Sequence, residues 1–217
     1  MNTKRILHYL IHDRSAFAIA ILQRMVRFIP EKLYLKLLFR FKMGYPLNLK
    51  NPQTFNEKLQ WIKLYDRKPE YTQLVDKNKV KQYVATKVGN EYVIPTLGVW
   101  EKFEDIDFSS LPEQFVLKTT HGGGGGGVVV CKNKNIFNID AARDLIVRSL
   151  KSDIYRSLRE WPYKNVPKRI IAEQYLQDGN GELRDYKFFC FNGHVKCFKI
   201  DFDRFTDHHA NYYSPDG

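Results

Sequence analysis

Six consecutive glycines, Gly122 to Gly127, constrain this chain more than any other feature. They stand between Phe115-Val-Leu-Lys-Thr119 and Val128-Val-Val-Cys131. A glycine run is either a flexible linker or a place where backbone comes close to a ligand. A linker belongs in polar company between domains. This run joins two apolar, β-branched segments, so it is predicted to cap a hairpin. A hairpin turn needs only roughly two to five residues of any kind, so the turn does not explain six glycines. Successive amides without side chains can wrap anionic oxygens, and a flexible flap can open for exchange. Phosphate binding is the chemistry the run suits.

Two phosphate motifs match the letters but not the context. The dinucleotide fingerprint needs a helix after its glycines, and here a strand follows. The Walker loop needs Lys and Ser or Thr after its last glycine, and Val128 and Val129 stand there. Lys118 ends the strand that enters the loop. An ammonium fixed on a strand can neutralise phosphate charge.

Upstream, residues 4–43 read as helices. Ile6, Leu7, Leu10 and Ile11 form one apolar stripe, and Ile21, Leu22, Met25, Val26 and Ile29 form another. Both stripes are assigned to core packing. Pro30 separates them from a helix near Glu31–Lys42. Thr54-Phe-Asn-Glu57 is a capping-box pattern and predicts a helix from Phe55 to about Tyr65. A further helix starts near Asp76, whose carboxylate can cap free amides, and stops at Gly89. Short strands are expected near Tyr92–Ile94 and Leu97–Trp100. Downstream, Asn138 or Asp140 caps a helix through Leu150. Arg169–Leu176, Asp185–Phe191 and His194–Asp203 read as strands, the last two joined by the hairpin signal Asn192-Gly193.

The net charge of +11 is unevenly placed. Residues 1–50 hold ten Lys/Arg against Asp13 and Glu31, which leaves +8 there and +3 in the rest. A basic helical front end suits either a solvated surface or peripheral contact with an anionic membrane. No stretch approaches the length of a spanning helix, and Asp13-Arg14 interrupts any signal-peptide core, so a cytoplasmic setting is expected. No RRM, KH or zinc-finger pattern occurs, and no nucleic-acid partner is expected. Cys131, Cys190 and Cys197 form no CxxC pair and read as reduced core thiols.

The order of these parts resembles the ATP-grasp fold and, more narrowly, the TupA-like (teichuronopeptide-biosynthesis) ATP-grasp family. The segments that carry the likeness are Leu47 to Trp61, Asp76-Lys77, Ile94-Pro95, the glycine loop, Ile170-Ile-Ala-Glu-Gln-Tyr-Leu176 and Asp185-Tyr-Lys-Phe-Phe-Cys-Phe-Asn-Gly193. The resemblance implies ATP and Mg²⁺ as cofactors and a carboxylate-bearing saccharide or amino acid as substrate. It implies a ligase of cell-surface polysaccharide biosynthesis working through an acyl phosphate. It also implies roles. Lys118 meets the α- and β-phosphates under a flap of Gly122, Gly123, Gly124, Gly125, Gly126 and Gly127. Glu173 accepts from the adenine amino group, beside the backbone of Gln174 and Leu176. Lys187 reaches phosphate or substrate. Glu182 is a ribose ligand or an exposed turn acid. Arg204 orients an acyl phosphate or lies on the surface. Lys77 is a phosphate-facing lysine or an ordinary first-turn lysine.

The fold class expected is therefore α+β and ATP-grasp-like. A basic helical region (1–50) precedes a linker and pre-ATP-grasp-like region (51–112), then an antiparallel, hairpin-rich nucleotide-binding region (113–217). The family's magnesium-binding acids fall on later strands, so the C-terminal catalytic part is expected to be missing and turnover by this chain alone is not expected. Asp201, Asp203 and Asp207 lie near the end, but strand alternation accounts for the first two. His208-His209 lacks a second ligand cluster for zinc. The competing readings are a sugar-nucleotide glycosyltransferase using Asp201-Phe-Asp203, and a non-catalytic remnant.

Overall fold

The computed structural model describes residues 14–123, 126–177, 183–203 and 207–217. The apolar stripe at Ile6–Ile11 lies outside them, as do Gly124, Gly125, Glu182 and Arg204. The chain divides into two compact units, Met1–Gln174 and Tyr175–Gly217.

In the first unit, two helices flank Pro30: α1 (Arg14–Arg24) and α2 (Glu31–Met43). Gly44 ends α2 in the left-handed conformation, φ 80°, where a Cβ would be strained. Leu22, Val26, Tyr34, Leu35, Leu38 and Phe39 form a core of their own. The stripe expected to pack as a whole is split. Leu22 and Val26 are buried, while Ile21 and Met25 face solvent. Neighbouring positions on a helix point about 100° apart, and α2 covers only one of those directions.

Helix α3 (Phe55–Tyr65) starts on the predicted capping box. Thr54 Oγ1 accepts from the Glu57 amide at 3.2 Å, and the Glu57 carboxylate returns to the Thr54 amide at 3.0 Å. Glu57 also accepts from the amides of Asn48 and Gln53, so one carboxylate fixes the loop before the helix. These bonds, the Thr54 amide first, hold its pKa below the usual carboxylate range.

A short helix α4 (Glu70–Val75), which sequence patterning does not announce, precedes α5 (Lys79–Val88). Asp76 plays the capping role predicted for it, its Oδ1 accepting from the amides of Asn78 at 2.9 Å and Lys79 at 3.3 Å. The strand expected at Tyr92–Ile94 is absent. Asn90–Tyr92 forms a 3₁₀ turn after Gly89, and pairing begins only at β1 (Thr96–Trp100).

Then come β2 (Phe115–Thr119), β3 (Val128–Cys131), α6 (Ile139–Leu150), α7 (Ile154–Leu158) and β4 (Ile170–Gln174). Asn138, rather than Asp140, caps α6, accepting from Ala141 N at 2.9 Å. The four strands make one antiparallel sheet in the order β1-β4-β2-β3. Alternation sorts β2. Phe115 and Leu117 point into a core with Ala142 and Ile146 of α6, and Val116 and Lys118 point the other way.

The second unit is a three-stranded antiparallel sheet, β5 (Asp185–Phe191), β6 (His194–Phe202) and β7 (His209–Tyr213). Asn192 (φ 51°) and Gly193 (φ 78°) make the predicted tight turn. Strand β7 is not evident from the sequence. Of the three thiols only Cys131 is buried; Cys190 is exposed and Cys197 half-buried, which corrects the expectation of core packing for all three. Among the described residues no helix is long and apolar enough to cross a membrane.

Candidate functional site

The face of the four-stranded sheet turned away from its core carries the charge. Val116 of β2 stands opposite Glu173 of β4, so Lys118, two residues on, shares the face and lies diagonal to Glu173. The Lys118 ammonium donates to Glu173 Oε2, and Lys81 from the first turn of α5 reaches Oε1 at 2.8 Å. The Glu173 side chain is only 5% exposed. A buried carboxylate is costly unless paired, and here two lysines pair it.

Lys77 joins them. Its backbone amide donates to Thr120 O at 3.0 Å, which ties the segment before α5 to the end of β2. Its ammonium donates to the carbonyl of Gly122, the first glycine of the run. Burial, and then the charge of Lys118, hold the Lys77 pKa below the ordinary lysine value, against the opposing pull of Glu173 and Asp76. Asp76 is buried, with the Arg169 guanidinium at 3.5 Å. Three lysines thus gather near the root of the glycine hairpin, Lys81 and Lys118 on the Glu173 carboxylate and Lys77 on the Gly122 carbonyl. Lys81 was not singled out in the sequence.

The glycines differ in what holds them. Lys118 pairs in register with Val128, directly after the run. Thr119 Oγ1 and Ser149 Oγ lie 2.8 Å apart beneath the loop. A Cβ on Gly127 would fall 2.6 Å from Ser149 Cβ, and one on Gly122 would collide with Thr119 Oγ1. Close packing on Ser149 of α6 requires glycine at 127, and the Thr119 side chain of β2 crowds position 122. Gly126 has nothing within 4 Å of its Cβ position, and Gly123 and Gly126 are exposed. Gly122 and Gly127 are thus held by packing, whereas Gly123 and Gly126 are exposed.

His121, just before the run, is buried with neither ring nitrogen in a hydrogen bond. Burial first, then the charge of Lys168, lower its pKa. The backbone of Ser152 and Ser149, at the end of α6 and just beyond it, favours the protonated ring but does not outweigh them. Imidazole is neutral here at neutral pH.

The remaining expected residues distribute as follows. The Gln174 amide donates to Pro95 O at 3.1 Å, so that N–H is already engaged. Leu176 and Lys187 belong to the second unit. There Lys187 donates to both Asp185 and Asp201. Asp201, buried, also takes Lys199 at 2.7 Å and His208 at 3.0 Å on Oδ1. These bonds, Lys187 first, push its pKa far below the usual carboxylate range. With both oxygens engaged by cationic side chains, Asp201 is poorly disposed to serve an Asp-x-Asp metal motif. Among the described residues no group of three His, Cys, Asp or Glu side chains could hold a metal ion.

Compared with known families, residues 57–217 match the model described as TupA-like ATPgrasp. No curated protein and no solved structure matches the chain.

Proposed function

The chain belongs to the TupA-like ATP-grasp family, and from that premise we propose that it is an ATP-dependent ligase of cell-surface polysaccharide biosynthesis. In the reaction this reading assigns, a substrate carboxylate attacks the γ-phosphorus of ATP, ADP leaves, and an amine then displaces phosphate from the acyl phosphate.

One observation carries the reading: Lys77, Lys81 and Lys118 converge at the root of a glycine hairpin in which Gly123 and Gly126 are exposed. A polyphosphate has more charge than one carboxylate and can draw Lys118 from Glu173. Lys118 then faces the α- and β-phosphates, while the amides of Gly123 and Gly126 close over the oxygens with those between them. Glu173, relieved of one lysine, has an oxygen for the adenine amino group. Lys81 keeps its carboxylate in place. Catalysis of this kind is positioning and charge neutralisation.

Calorimetric titration tests this. ATP should bind the wild-type chain, and Lys118→Ala should weaken that binding. A nucleotide sugar should not bind comparably. Tight binding of UDP-glucose, with ATP binding absent, would overturn the proposal in favour of a glycosyltransferase.

A further inference from the structure

The side of α1 and its following turn that faces away from the helical core is both apolar and basic. Ile21, Met25 and Phe28 follow helical spacing, continued past Arg24 by the hydrogen bond from Met25 N to Ile21 O at 3.0 Å. All three are exposed, Phe28 to 83% and Met25 to 49%. Leu33, at the start of α2, is exposed as well. Interleaved with them stand Arg24, Arg27 and Lys32, all exposed. Residues 14–43 carry seven Lys/Arg and a single acid, Glu31. That acid is already neutralised by Arg67 at 2.6 Å.

The opposite side of this helical pair is fixed to the rest of the first unit. Arg159, buried, donates to Val26 O at 2.7 Å and stacks over the Tyr34 ring. The Tyr34 hydroxyl donates to Ser157 O at 2.7 Å. The exposed stripe is therefore presented on a supported surface.

We propose that this surface docks on an anionic lipid bilayer, with Ile21, Met25 and Phe28 entering the headgroup boundary and Arg24, Arg27 and Lys32 meeting lipid phosphates. Charge complementarity selects the occupant. An apolar ridge bordered by cations, its one nearby acid Glu31 tied to Arg67, matches an interface whose headgroups are negative and whose interior is hydrocarbon. A nucleic acid would use the cations but gain little from Ile21 and Met25. The proposal stands independently of the nucleotide site. It places the enzyme at the surface where membrane-attached saccharides are within reach.

The test is vesicle co-sedimentation of the full chain. One set of vesicles is phosphatidylcholine alone, and the other is equal parts phosphatidylcholine and phosphatidylglycerol. Binding is expected to the second set only and to weaken as salt rises. Arg24→Gln with Arg27→Gln should reduce it about tenfold or more, since each basic residue near such a surface contributes on the order of 1 kcal/mol. Met25→Ser with Phe28→Ser should also reduce it, leaving ATP binding and melting temperature unchanged because both side chains are solvent-exposed. Three results would overturn the proposal: no preference for the anionic vesicles, preferential binding of duplex DNA or RNA over vesicles, or a concentration-dependent dimer that the Met25/Phe28 variant abolishes while vesicle binding persists.

Discussion

The Lys118 ammonium rests on the carboxylate of Glu173, one strand over and diagonal to it on the same face of the sheet. This pair links fold to function. On its strand Glu173 follows Ile170, Ile171 and Ala172, which are fully buried. A carboxylate there is costly unless cations pair it. Lys81 completes the neutralisation from the start of α5. The arrangement holds two ammonium groups near the base of the glycine loop, where a phosphate is proposed to enter.

Lys118→Ala should weaken ATP binding by about tenfold or more, the scale of losing one charge-assisted contact to phosphate. The fold should survive, since Lys81 still partners Glu173. Titration calorimetry and thermal melting on the same preparation check this together. A collapsed melting temperature with unchanged nucleotide binding by the remaining fold would make Lys118 a structural residue.

Glu173→Gln should act differently. It leaves Lys81 and Lys118 beside a neutral amide in a largely dehydrated place. The expected loss is about 1–3 kcal/mol of stability, read as a lower denaturant midpoint at an unchanged slope. Glu173→Ala should cost more, because it adds a cavity and frees both lysines. If Glu173→Gln is as stable as wild type, the pairing does not restrain the strand.

The hairpin, its glycines and Lys118 were legible because their signals are local: alternation, β-branching and a run of one residue type. The capping box at Thr54–Glu57 was legible for the same reason. Lys81 was not, because its meaning comes from a strand about ninety residues downstream. The split of the Ile21–Ile29 stripe was hidden too, since periodicity gives a face its width but does not say how much of it a neighbour covers. Strand β7 escaped because Asn211 and the polar residues before it dilute the pattern, and its pairing with β6 is what makes it a strand. The Asp201 network was misread as plain alternation. Alternation does not show Lys187 on the neighbouring strand or His208 just before β7, whose side chains enclose the carboxylate.

The glycines should separate by substitution. Gly127→Ala drives a methyl into Ser149 and should cost about 1–3 kcal/mol. Gly126→Ala meets open space and should leave stability within about 0.5 kcal/mol of wild type. Its methyl would stand where a phosphate is proposed to approach, so ATP affinity should fall instead. Chemical denaturation and nucleotide titration of both variants distinguish packing glycines from ligand glycines. Equal stability losses at the two positions would contradict the distinction.

His121 gives the chain a pH dependence whose sign follows from its burial. The folded ring has a pKa below its ordinary 6.5, whereas the unfolded chain keeps the ordinary value. Above that value both states carry a neutral ring and His121 adds no pH dependence. As pH falls below about 6.5 the unfolded state takes up a proton first. Stability therefore declines through the interval between the two values and levels off only below the folded one. The other histidines titrate in the same region, so the measurement is a difference. Melting temperature is followed from about pH 8 to about pH 5 for wild type and for His121→Phe. The variant replaces two unpartnered ring nitrogens with carbon in a ring of similar shape. It should match or exceed wild type at neutral pH and lose less on acidification. Parallel curves for the two proteins would show that His121 is protonated equally in both states, and its enclosure beneath the glycine loop would then have no consequence for stability.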